Sequence, residues 1–301
     1  MSKRRAPISV LAIMTVLSII AAAQSPASRG GAAAAAGIDP ALMAKATAGN
    51  ADAEFRVGVQ YELGARVKKD PAQAAAWYGK AAENGDVRAQ HSLGVLYEFG
   101  NGVRADYATA AQWYRKAAEK GFAPAQFSLG LCYVHGKGVP QDYHQALAWY
   151  ESAAQQRNAD ALLNLAFLYH NGLGVTKNET RSFDYVRQAA DAGSADAQFQ
   201  LGMDYHDGEQ GLQPDNDLAR KWLRRSAEQG DVAAQFNYAM MLKAQPTDVY
   251  FWLSLATPHL TGSTKQTSQQ LRDKSDALLS PAQRTAIDRR VKDWHPVEEQ
   301  P

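Results

Sequence analysis

The sequence predicts an all-α chain, a solenoid of stacked helix-turn-helix units, and three observations predict it. Alanines recur with a period of 36 residues at Ala53, Ala89, Ala125, Ala161 and Ala197, and Ala234 follows after 37. The columns that march with them stand at offsets 4, 5 and 8, which share one face of a 3.6-residue helix. Hydrophobic residues make up 46% of the chain, yet alanine supplies much of that share and strand formers are scarce. Such a composition suits closely packed helices better than sheet.

The first helix of each unit, helix A, follows from these columns. Offset 4 holds Val57, Leu93, Leu129, Leu165, Leu201 and Tyr238, and offset 8 holds Tyr61, Tyr97, Tyr133, Tyr169 and Tyr205. Offset 5 holds Gly58, Gly94, Gly130, Ala166, Gly202 and Ala239. A glycine inside a helix costs about 1 kcal/mol relative to alanine. Four of six repeats accept that cost, which predicts a second helix passing too close to admit a side chain.

Helix B carries Trp77, Trp113, Trp149, Tyr185 and Trp222, followed by small residues. Seven residues before each aromatic stands Asp70, Asp106, Asp142, Asn178 or Asp215, side chains able to cap the open amides of a first helical turn. Gly85, Gly121, Gly193 and Gly230 close the B helices, whereas Arg157 takes that place once, which predicts a corner that is strained or differently closed. The Gly100–Val103, Gly136–Val139 and Gly172–Val175 stretches are glycine-rich, but no strand precedes them and no lysine-serine pair follows, so they read as hairpin turns rather than phosphate loops.

The ends of the chain read differently. Lys3, Arg4 and Arg5 precede an apolar run from Ile8 to Ala23 that closes on three alanines, the plan of a secretory signal. Left uncleaved, residues 1–23 would serve as an inner-membrane tether facing the periplasm. Residues 24–37 form a low-complexity linker. The repeat solenoid then occupies 38–257 as a half repeat, five full repeats and a degenerate sixth. Beyond it, 258–301 predict capping helices from about Lys265 to Leu279 and from a capping box at Ser280–Gln283 to Trp294.

The string AQFSLGLCYVHGKG from Ala125 to Gly138, followed by Asp142, Ala146, Trp149-Tyr150 and Ala153-Ala154, resembles the Sel1-like repeat family, relatives of the tetratricopeptide repeats. The longer period and the Gly-x-Gly-Val hairpin separate it from an ordinary 34-residue array. The resemblance implies a right-handed superhelix used as a scaffold or adaptor, often in exported or membrane-linked complexes. A cysteine-rich subset has been linked to β-lactam binding, and a cell-wall or β-lactam hydrolase is the alternative it implies. The paired cysteines of that subset are absent, because Cys132 is the single cysteine and falls in a packing register.

An interaction surface is expected on the concave face, built largely from helix A. Offset 3 gives a polar ladder of Arg56, Ser92, Ser128, Asn164, Gln200 and Asn237, and offset 6 an apolar one of Val59, Val95, Leu131, Phe167, Met203 and Met240. Together they could hold an extended protein or peptide segment, although the apolar row could equally pack between adjacent helices. His170 and His206 share an offset beside Asp207, too sparse a set to predict a metal site. No zinc-protease motif, nucleophile elbow or phosphate loop is present, so no catalytic residue and no cofactor is expected. The formal charge of +1, with three cations and no acid in the first 23 residues, does not point to nucleic acid.

Overall fold

The computed structural model describes residues 37–242, 245–297 and 299. These contain fifteen α-helices and one short 3-10 helix, Thr257–His259, and no strand. The signal, most of the linker and the last two residues lie outside the described residues. Among the described residues no helix is long and apolar enough to cross a membrane.

The chain divides into two compact units. The first comprises the described residues up to Gln156, together with Leu173–Val175. In it a half unit, α1 (Pro40–Thr47), precedes three hairpins: α2 (Ala51–Leu63) with α3 (Pro71–Glu83), α4 (Val87–Phe99) with α5 (Tyr107–Glu119), and α6 (Ala123–His135) with α7 (Tyr143–Ala154). The second, Arg157–Gly172 and the described residues from Thr176, pairs α8 (Ala159–Asn171) with α9 (Glu179–Asp191), α10 (Ala195–Asp207) with α11 (Asn216–Glu228), and α12 (Val232–Met241) with α13 (Pro246–Ala256). It ends in α14 (Gly262–Asp276) and α15 (Pro281–Lys292).

The glycine column has the physical cause its cost suggested. A Cβ on Gly58 would lie 2.6 Å from the ring of Tyr78, one on Gly94 2.6 Å from Tyr114, and one on Gly130 2.4 Å from Tyr150. All three tyrosines are fully buried on helix B, beside the tryptophan column, so the ring cannot swing away. In the fourth repeat the tyrosine's place is taken by the smaller Val186, and there alanine, Ala166, replaces the glycine. The fourth repeat thus departs from the column for the same steric reason.

Each hairpin is held at both ends. The carboxylates of Asp70, Asp106, Asp142 and Asp215 each accept two backbone N–H groups of the first turn of their helix B, and Asn178 accepts one. The first loop glycines, Gly100, Gly136 and Gly172, end helix A in the left-handed region, with φ between 65° and 69°. The second ones serve a different purpose. A Cβ on Gly102 would meet the Pro71 carbonyl at 2.2 Å, and one on Gly138 the Tyr107 carbonyl oxygen at 2.0 Å, so each loop lies directly on the backbone that opens the preceding helix B.

The corner at Arg157 is strained as its sequence suggests. Gly85, Gly121, Gly193 and Gly230 have φ of 92°, 83°, 98° and 95°, and Arg157 is forced to 59°. A side chain in that region costs about 1–2 kcal/mol, while glycine adds roughly 0.4–1 kcal/mol of unfolded-state entropy. Arg157→Gly is therefore expected to stabilise the chain by about 0.5–1 kcal/mol, read as a higher urea midpoint with an unchanged slope. A lower midpoint would show that the bond from its guanidinium to the Asp191 carbonyl, 3.0 Å, outweighs the strain.

The final helices cover an apolar end. Phe251, Trp252 and Leu253 of α13 form one cluster with Leu279 and Ile287, and Trp294 packs against it. Ser280 and Gln283 make the reciprocal capping box that opens α15.

Candidate functional site

The polar ladder of helix A is half accessible. Arg56 is exposed beside Asp52 at 3.9 Å, and Ser92, Ser128, Asn164, Gln200 and Asn237 are half-buried. Asn164 and Asn237 each donate one amide N–H to a carbonyl a turn back, of Asp160 and Ala233, at 2.8 Å. Each amide has a second N–H and its oxygen beyond that bond. Ser128 holds the ring of His91 at 3.1 Å. In the apolar row Val59, Val95, Leu131, Phe167 and Met203 are half-buried and Met240 is exposed. Val59 leans on the α3 and α4 core and Met203 on the cluster around Trp252, so the row packs on one side and faces outward on the other.

A second polar column went unread in the sequence. At offset 1, beside the alanine column, stand Glu54, Gln90, Gln126, Leu162, Gln198 and Gln235. Four are glutamines whose Nε2 donates to the end of the preceding helix B: Gln90 to Ala82 at 2.9 Å, Gln126 to Ala118 at 3.3 Å, Gln198 to Ala190 at 3.1 Å and Gln235 to Ala227 at 3.3 Å. The last carbonyls of a helix lack partners of their own, and a buried amide supplies one. Gln156 and Gln229 extend the clamp, donating to Gln126 and Gln198 at 2.9 Å and to the corner carbonyls of Gly121 and Gly193.

In the fifth repeat this column meets the C-terminal tail. The Val297 N–H donates to the Glu228 carbonyl at 2.8 Å, and Pro296 lies over Gly230. The Glu299 carboxylate then accepts from Arg225 through Nε at 3.0 Å and Nη2 at 2.6 Å, and from Gln198 Nε2 at 2.8 Å. Burial pushes its pKa up, but Arg225 and Gln198 outweigh this and hold it below the usual carboxylate range. The fork of an arginine on a carboxylate orients as well as attracts.

The remaining chemistry-bearing residues are dispersed. His170 turns to Glu179 at 2.7 Å and His206 to Asn216 at 3.1 Å, each inside its own repeat, and no cluster of three metal-ligating residues occurs among the described residues. Cys132 is buried in the α6 face, and that burial pushes its thiol up to about 12, away from nucleophilic use.

The Sel1 repeat matches five times in succession, at residues 51–86, 87–122, 123–158, 159–194 and 195–231. The chain belongs to the Sel1 repeat family. Those bounds enclose the five hairpins from α2 to α11 and leave α1 and the helices from α12 onward outside them. Among solved structures, this Sel1 repeat chain is similar to a protective antigen of uropathogenic Escherichia coli with the same fold, at 33% identity and a TM-score of 0.66 over 84% of its own length. It spans 56% of that antigen. A Sel1 repeat protein of Oxalobacter formigenes matches at 31% identity and a TM-score of 0.62, over 83% of this chain and 91% of the other. No curated protein matches the chain.

Proposed function

We propose that the chain is an exported scaffold that binds protein or peptide partners on its helix A faces and performs no chemistry of its own. The observation that carries this is the pair of ladders. A polar row keeps hydrogen-bonding atoms at the surface beside an apolar row that its own core only half covers. An extended segment can satisfy its backbone on the first and seat alternate side chains on the second. Export rests on the basic and apolar pattern of residues 1–23. The dispersal of histidines and the buried thiol favour binding over catalysis.

Crosslinking in intact bacteria tests both parts. The tagged chain is expected in the periplasmic fraction with a captured partner, and Asn164→Ala with Gln200→Ala, both in the second unit, should weaken that capture by about tenfold. Recovery in the cytoplasm would refute export, and undiminished capture would refute the ladder.

A further inference from the structure

Repeat five shows how this fold holds a carboxylate, and repeat two carries the same parts. Three repeats before Gly193, Gln198, Trp222 and Arg225 stand Gly85, Gln90, Trp113 and Lys116. Those four border an open cavity of about 440 Å³. Lys116 Nζ rests 3.7 Å from the centre of the Trp113 ring, as the Arg225 guanidinium rests 4.7 Å from that of Trp222. The cation is thereby held in place over an aromatic face at both sites.

The buried amide differs in one telling respect. Gln198 Oε1 accepts from Gln229, whereas Gln90 has Lys120 at that place, and Lys120 donates instead to the Gly85 carbonyl at 3.0 Å. Gln90 is only 3% exposed, one N–H of its Nε2 goes to the Ala82 carbonyl, and its buried Oε1 has no hydrogen-bond partner among the described residues. A buried acceptor left so is costly and calls for a donor. The cavity thus asks for an N–H and an anion together. Glu83 and Glu119 also border it, but their counterparts Asp191 and Glu228 flank the site that Glu299 fills, so they do not bar a carboxylate.

The other repeats lack the pair. Glu54 puts a charge of the wrong sign beside Lys80, Ser152 replaces the cation in the repeat of Gln126, and Leu162 replaces the amide in the fourth repeat. Only the second and fifth repeats join a neutral amide to a cation.

We propose that the repeat-two cavity binds an extended acidic peptide of a partner protein, its carboxylate on Lys116 and a backbone N–H on Gln90 Oε1. The chain's own tail is engaged at Arg225 and Gln198, and a second copy's tail would have to abandon those bonds to come here. Residues 1–36 contain no aspartate or glutamate and cannot supply the anion. The site shares no residue with the helix A ladder, so it stands or falls separately from that reading.

The probe is a fluorescein-labelled peptide with the sequence of residues 293–301, titrated into the full chain and followed by anisotropy. Saturable one-to-one binding is expected. Lys116→Ala should weaken it by at least about tenfold, as should replacing Glu299→Gln within the peptide, while Lys80→Ala leaves it unchanged. Lys116 is exposed, so its variant keeps the fold. Equal affinity in the Lys116→Ala chain, or binding lost only with Arg225→Ala, would overturn the proposal. Self-association in sedimentation that disappears with Lys116→Ala would overturn the partner in favour of a second copy.

Discussion

Gly138→Ala is expected to destabilise the chain by about 3–4 kcal/mol, whereas Gly121→Ala, seventeen positions earlier, should cost only about 1 kcal/mol. Both glycines have positive φ, 73° and 83°, so both substitutions carry the same left-handed penalty. They differ in what surrounds them. A Cβ on Gly121 meets nothing within 4 Å, and one on Gly138 would lie 2.0 Å from the Tyr107 carbonyl oxygen and 2.4 Å from its carbon. That carbonyl belongs to the first turn of α5, whose geometry is fixed by the Asp106 cap, so relief requires one hairpin to move off the next. Urea unfolding followed at 222 nm measures both. Equal losses would mean that conformation alone explains the loop glycines and that the packing of one hairpin on its neighbour plays no part.

The contrast between these two glycines marks what the sequence can and cannot disclose. The period, the helix faces and the caps were legible because each is a local relation repeated five times, so that Asp106 or Gly94 is read with its equivalents beside it. Arg157 was legible for the same reason, as a departure from a column. The glutamines at offset 1 were equally periodic, yet a polar column suggests solvent, and only the fold shows that Gln90 and Gln198 are buried against the ends of neighbouring helices. The acid that completes the carboxylate site had no such signal. Glu299 meets Gln198 across 101 residues and Arg225 across 74, and nothing near Glu299 in the chain announces either. Periodicity exposes what the repeats share, while function draws on what single repeats do differently.

His91 is such a difference, and it predicts how the first unit responds to acid. Offset 2 holds Phe55, Phe127, Phe199 and Phe236, and in the second repeat a histidine takes the place of the phenylalanine. Its ring packs on Tyr114 at 5.4 Å, as Phe55 packs on Tyr78 and Phe127 on Tyr150. The site is built for an apolar ring, so burial lowers the His91 pKa to about 4 from an ordinary 6.5. Above pH 6.5 the imidazole is neutral in both the folded and the unfolded chain and has no effect on the balance. Between pH 6.5 and 4 the unfolded chain binds a proton that the folded one refuses, so stability falls with pH, by about 3 kcal/mol in all. His91→Phe removes that proton from the balance and restores the aromatic pair, at the loss of the bond to the half-exposed Ser128. The variant is expected to match the parent within about 1 kcal/mol at pH 7.5 and to exceed it by about 2–3 kcal/mol at pH 4.5 in urea unfolding. Carboxylates titrate alike in both chains and cancel in the difference. Parallel stability curves across this range would mean that His91 is protonated in the folded state, and its environment would then have to supply an acceptor stronger than the Ser128 hydroxyl.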